Sequence, residues 1–265
     1  MSGGGLNYVT YGQPAQDALL LIHALGADLR FWEEAGPALG ARCFCIAPDL
    51  RAAGSSPQSD APVAVDQHLA DLEALRRALG LARVVPVGCA MGGLVGACYA
   101  ARHPDLVPAL VMTNPGLRNT DASKRMLRER VEEIRRRGLG FLVPAAVDRT
   151  FMNQPRDARY ERHLARYAAQ DPNGYIQSEL GFLDIDISGI AASIGCPTLL
   201  VPGEHDILMA AEDAAILARV MPNAQLRPMS GAAHFVPLQA PDRFAAAVFA
   251  FFAALPGGSP FPPAA

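Results

Sequence analysis

The sequence predicts an α/β fold: a mostly parallel central sheet with helices on both faces and a helical cap inserted late in the chain. Three observations carry that expectation. Short apolar runs alternate with stretches of helical spacing, the pattern of strands buried on both faces between helices. One of those runs ends in GCAMGG (residues 88–93), small residues that permit a sharp turn straight into a helix. The alternation then stops between residues 117 and 195, where the chain is rich in arginine and reads as helical throughout.

The elements follow in order. Residues 18–22 are the first apolar strand. Residues 43–47 are another, closed by Pro48. Residues 66–79 carry Leu69, Leu72, Leu75 and Leu79 at helical spacing, and Gly80 ends that helix. Residues 84–87 and 109–113 give two more strands, 198–201 and 225–229 complete the sheet, and 238–255 form a last helix entered through Pro241. Within the insertion, helices are predicted over 123–137, 142–152 and 156–170, and no strand. The expected organisation is a core from 1–116 and 196–256, a cap from 117–195, and a disordered Gly/Pro-rich tail from 257–265.

Composition narrows the function. At 265 residues and 51% hydrophobic, the chain is long enough for one large domain with its own core. A net charge of −3 with 18% charged residues gives no basic surface for nucleic acid or an acidic membrane. No apolar run reaches membrane-spanning length, and the first residues show no secretory signal. The five cysteines (43, 45, 89, 98 and 196) are odd in number and lack disulfide spacing, so they read as reduced thiols of a cytoplasmic protein. No metal cluster, Walker lysine or dinucleotide fingerprint is present, so neither a metal nor a cofactor is expected.

The chemistry-bearing residues centre on the turn. A strand–turn–helix of pattern G-x-S-x-G presents a serine nucleophile at its apex. Here the apex is Ala90, which has only a methyl group. Asp206 follows the strand at 198–201, and His234 follows a small polar turn after 225–229. The order apex, acid, histidine is that of a Ser/Asp/His machine, in which the acid orients the imidazole and the imidazole activates the nucleophile. The loop HALGA (23–27) follows the first strand, and the Leu25 and Met91 N–H groups are assigned as the oxyanion hole. His23 is read as a structural loop histidine. His205 and Glu204 are weaker candidates than His234 and Asp206. Cys89 sits one position before the apex and is read as structural. Asp49 and Arg51 in PDLRAAGSS (48–56) are expected to tie loops together, with Ser55 and Ser56 as turn residues. Arg125, Arg128, Arg135, Arg136 and Arg137 read as a solvated helix face from which one guanidinium is free to bind a substrate carboxylate.

Together the stretches 20–32, 48–56, 84–96, 197–208 and 230–244 resemble the α/β-hydrolase superfamily over nearly the whole chain. Two branches are similar. HALGADLRFW (23–32), DPNGY (171–175), Asp184 and CPT (196–198) resemble 3-oxoadipate enol-lactonases, a family that opens a small anionic lactone with a serine; this chain departs from it at Ala90. Residues 88–96 and NPGLR (114–118) resemble the aminoacrylate or carbamate hydrolases of pyrimidine breakdown, some of which carry alanine at the apex. The resemblance implies a hydrolase of a small carboxylated ester or lactone, with a Ser/Asp/His mechanism whose nucleophile position Ala90 has inactivated. Two alternatives stand beside it: a naturally serine-free hydrolase using His-activated water, and a non-catalytic small-ligand binder. The expected partner is a small anionic molecule, and a homodimer is left open.

Overall fold

A computed structural model describes residues 5–209, 211–256 and 258–261. In it, strands β1 (Tyr8–Tyr11), β2 (Asp17–Ile22), β3 (Cys45–Pro48), β4 (Arg83–Cys89), β5 (Leu110–Thr113), β6 (Thr198–Val201) and β7 (Ala224–Leu226) form one sheet in the order β1-β3-β2-β4-β5-β6-β7. Every pairing is parallel except β1 with β3. This is the mostly parallel, helix-covered sheet that the alternation predicts. Helices α1 (Ala35–Gly40), α2 (Val65–Ala78) and α3 (Met91–Arg102) interleave with the early strands. Helices α8 (Ala211–Val220), α9 (Val236–Gln239) and α10 (Pro241–Ala253) interleave with or follow the late ones.

The sheet separates two apolar cores, and the two-residue period of a strand decides which residue enters which. Leu19, Leu21, Val85, Val87, Val111 and Leu199 face the core closed by α1 and α10. Leu20, Ile22, Val84, Leu110, Met112 and Leu200 face the core closed by α2, α3 and α8. Because β2, β4, β5 and β6 are covered on both sides, they read as unbroken apolar runs rather than alternating ones.

Several boundaries differ from expectation, each for a local reason. β1 was not predicted: it is an edge strand with Tyr8 and Val9 exposed, and only its run of β-formers, YVTY, signals it. β3 starts at Cys45 rather than 43 and includes Pro48, whose missing N–H is tolerated at a strand end. β7 is a short, part-exposed edge at 224–226, not 225–229. The last helix is two: the chain breaks at Ala240 (φ −138°, ψ 54°), because the residue before Pro241 is kept out of helical geometry. The tail expected to be disordered is corrected over its described part. Phe261 is buried with its ring 5.5 Å from that of Phe252, since an aromatic ring stabilises whatever contact removes it from water. Residues 257 and 262–265 lie outside the described residues.

Between β5 and β6 the chain forms α4 (Asp121–Arg137), α5 (Val143–Thr150), α6 (Ala158–Ala168) and α7 (Pro172–Phe182). The first three lie where the sequence places helices. α7 was not predicted, although its start is legible: Pro172 occupies the first turn and the Asp171 carboxylate accepts from the Gly174 N–H at 2.6 Å. The segment leaves and returns at one place. Arg118 pairs with Asp186 in an isolated antiparallel bridge, and the Ile187 N–H donates to the Leu117 carbonyl at 3.1 Å. Among the described residues, no helix is long and apolar enough to cross a membrane.

Candidate active site

The turn after β4 is built as tightly as its sequence implies. Ala90 adopts φ 49°, ψ −114°, a region disfavoured for any residue with a Cβ, and its N–H is held by the Thr113 carbonyl at 3.0 Å. Glycine is required on both sides. A Cβ on Gly88 would lie 2.2 Å from the Gly92 carbonyl oxygen, and one on Gly92 would lie 2.3 Å from the Ile22 carbonyl oxygen.

Asp206 and His234 meet across the ends of β6 and β7. His234 Nδ1 lies 3.0 Å from each oxygen of the Asp206 carboxylate. A carboxylate there fixes the proton on Nδ1 and leaves Nε2 with its lone pair. The carboxylate is itself held by the Leu208 and Met209 N–H groups at 2.8 and 3.2 Å and by the Asn114 amide at 2.8 Å. Burial raises its pKa, but His234, the Leu208 N–H and the Asn114 amide outweigh burial and hold the carboxyl below its ordinary value. Asn114 was not singled out from sequence as a site organiser. It occupies positive φ (49°) at the end of β5, donates also to the Ala233 carbonyl at 2.9 Å, and so locks the histidine loop to the acid.

The loop after β2 is fixed by His23. The Leu50 N–H donates to its Nε2 at 2.9 Å, so Nδ1 carries the proton and donates to the Ala24 carbonyl at 2.8 Å. Burial lowers the His23 pKa, in keeping with a neutral ring. Among the described residues, the Leu25 and Met91 N–H groups have no acceptor, and both residues border the cavity that Ala90 and His234 border. Asp49 ties three segments, accepting from the Leu29 N–H, the Ser55 N–H and the Asn7 amide at 2.7, 2.8 and 2.8 Å. Arg51 instead pairs with Asp71 on α2 at 2.7 Å. Cys89 is fully buried and donates to the His234 carbonyl at 3.5 Å; burial pushes its thiol up, away from a reactive thiolate. Glu204 accepts from Ser230 Oγ and the Gly231 N–H, away from the imidazole, and His205 does not border the cavity.

The cavity has a volume of about 530 Å³. Its sheet side is Leu25, Ala90, Met91 and His234; its far side comes from α4, α5, α6 and α7. Three arginines reach it: Arg118, Arg130 and Arg149. None is among the arginines singled out from sequence. Arg125, Arg128, Arg135, Arg136 and Arg137 are exposed, and the last three pair with Glu132 and Glu133 on their own helix. Also missed was His163 on α6, buried with its ring 4.9 Å from Phe235. Burial pushes its pKa down to about 4, so it is a neutral wall of the cavity. The positions of Arg130 and His163 could not be read locally, because helical spacing says which face a residue occupies, not what that face meets. Among the described residues, no group of three or more potential ligand side chains is placed to hold a metal.

Comparison with known proteins shows the family. The alpha/beta hydrolase fold family matches residues 17–241. A protein from Caulobacter sp. strain K31 named "Putative carbamate hydrolase RutD" is 31% identical over 93% of this chain and 95% of its own length. The 3-oxoadipate enol-lactonase 2 of Acinetobacter baylyi is 26% identical over 92% and 91%. Among solved structures, the enol-lactonase from Burkholderia xenovorans LB400 superposes with a TM-score of 0.87 at 25% identity, covering 94% of this chain and 97% of that one. A malate-bound thermophilic esterase from Thermogutta terrifontis gives a TM-score of 0.83 at 26% identity, covering 92% and 91%.

Proposed function

This chain belongs to the alpha/beta hydrolase fold family, and on that premise we propose that it hydrolyses a small carboxylated ester, lactone or carbamate-type substrate with water activated by His234. The observation that carries the reading is a complete acid–base and oxyanion apparatus around an apex that bears no nucleophile. His234 is oriented by Asp206, two backbone N–H groups without an acceptor among the described residues stand at the same cavity, and Ala90 offers only a methyl. The adjacent thiol of Cys89 is buried, and burial pushes its pKa up.

In this mechanism the scissile carbonyl oxygen lies against the Leu25 and Met91 N–H groups. His234 Nε2 takes a proton from water as the water oxygen bonds to the carbonyl carbon. The tetrahedral oxyanion is held by the two N–H groups, a contribution of roughly 3–4 kcal/mol for one such donor. The intermediate then collapses, the bond to the leaving group breaks, and the imidazolium returns its proton to that group. Asp206 stabilises the imidazolium while it exists. The helical segment between β5 and β6 acts as a cap that shapes the cavity. Five unpaired cysteines support a cytoplasmic setting.

A second reading has its own observation. The positive φ at Ala90 is the conformation that thrusts a side-chain nucleophile into a site, so an acyl-enzyme mechanism with a serine at 90, disabled here, fits the same backbone. One experiment separates them. The chain as it stands, Ala90→Ser and His234→Ala are assayed on small enol-lactones, aryl esters and carbamate or enamine acids, with fluorophosphonate labelling alongside. Water activation predicts turnover with Ala90 present, no labelling, and loss of activity on His234→Ala. Activity and labelling only in Ala90→Ser would establish the acyl-enzyme reading instead. Ligand binding without product from either form would make the protein a binder.

A further inference from the structure

Arg130 differs from every other arginine on α4. Its Nε donates to Glu179 Oε1 at 2.7 Å, and among the described residues its two terminal NH2 groups have no acceptor, while the residue borders the cavity opposite Ala90. Glu179, on α7, has none of its surface exposed, and among the described residues its second oxygen, Oε2, lacks a hydrogen-bond partner. Beside it, the hydroxyls of Tyr167 and Tyr175 hydrogen-bond to each other at 2.8 Å. Tyr167 and Tyr175 also border the cavity.

A buried ion pair of this kind is a poor way to gain stability. Desolvating both ions costs about as much as their attraction returns, and an apolar pair of similar volume commonly does as well or better. The geometry does, however, hold a guanidinium by one edge and leave its terminal edge open. That edge is a planar fork whose spacing matches a carboxylate and accepts it bidentately. Glu179 leaves the fork's direction fixed, because a carboxylate with no exposed surface has no room to swing.

We propose that Arg130 is the anchor for a carboxylate on the substrate, with Glu179 as the residue that positions it. The inference rests on the reading that this cavity is the substrate site. It assigns the substrate class as acids with an anionic group at one end and the scissile carbonyl at the other. The acidic end lies under α4 and α7, and the carbonyl lies at Leu25, Met91 and His234. Arg118 and Arg149 reach the same cavity, among the described residues without a buried carboxylate partner, and they are the competing hosts for the anion.

The test is binding, so that it stands apart from turnover. Calorimetry or ligand-observed NMR measures 4-oxopentanoate and its methyl ester against the wild-type chain, Arg130→Lys, and Arg130→Met combined with Glu179→Gln. The paired change removes both charges, so no unpaired buried ion is left to unfold the variant. The expected wild-type preference for the acid over the ester is about 10- to 100-fold, the range for a charge-assisted fork. It should shrink in Arg130→Lys and vanish in the double variant, with ester binding little changed. A wild type that does not prefer the acid, or a double variant that keeps the preference, overturns the proposal; the latter moves the anion to Arg118 or Arg149. Arg130-dependent preference in a chain that hydrolyses nothing on the panel would leave the anchor standing and remove the hydrolytic reading.

Discussion

At the scale of single residues, the site turns on a methyl group held where a glycine or a nucleophile belongs. Ala90 at φ 49° carries backbone strain of about 1–3 kcal/mol, which the Thr113 carbonyl and the glycines at 88 and 92 sustain. Ala90→Gly should remove that strain while adding about 0.5–1 kcal/mol of unfolded-state entropy. Its thermal midpoint is therefore expected at or a few degrees above wild type, the reverse of an Ala→Gly change inside a helix; a drop of several degrees would show that Ala90 is not strained. Gly92→Ala should do the opposite. Its Cβ meets the Ile22 carbonyl, backbone that cannot step aside, and a lower melting temperature and yield will show it. Asp206→Asn leaves shape intact and removes the charge that orients and stabilises His234. A fall in kcat of roughly 10²- to 10⁴-fold with little change in KM is expected, measured on whichever substrate of the panel is turned over.

At the scale of elements, two helices each bury a neutral histidine, and this sets an acid limit on stability. Burial lowers His68 on α2 and His163 on α6 to about 4, against 6.5 for the free side chain. Between those values the unfolded chain binds more protons than the folded one. Stability is therefore full above about pH 6.5 and falls as pH drops towards 4, by up to ~3 kcal/mol for each histidine. His163→Phe suits a ring already packed among Phe151, Tyr167 and Phe235, the last two edge-on. It should flatten the fall of melting temperature between pH 7 and 5, and an unchanged slope would exclude His163 as a source. The pair of α4 and α7 shows the limit of periodicity. The spacing of Leu127, Val131 and Ile134 fixes the buried face of α4, but only the arrival of α7 makes Arg130 different from Arg128.

At the scale of the whole molecule, the sheet and the segment over it differ in how they are held. β2, β4 and β5 lie between two apolar cores, whereas α4, α5 and α6 are covered on one side and carry exposed charged faces. Native-state hydrogen exchange should therefore show α4–α6 exchanging through openings of lower free energy than the central strands. Saturating 4-oxopentanoate should raise protection in α4 and α7 more than in β2. Uniform protection across both layers would mean that the segment does not open apart from the core, and would weaken its reading as a cap.

The sequence by itself determined the order of strands β2 to β7 and of helices α2 to α6 and α10, the sharp turn at residues 88–93, and the pairing of Asp206 with His234. Each of these is a local matter: a buried strand must be apolar, a tight turn must be made of small residues, and a side chain placed just after a strand lies at the sheet's carboxyl end. Tertiary structure alone decided that Asp206 is held by Asn114 across 92 residues. It also decided that Phe261 seats on the core, that His163 loses its charge, and that Arg130 rather than Arg125 or Arg128 faces the cavity. Those outcomes depend on what a surface meets after the chain has folded. Burial and pairing, which set the charge and direction of a polar group, are properties of two segments and are written in neither one.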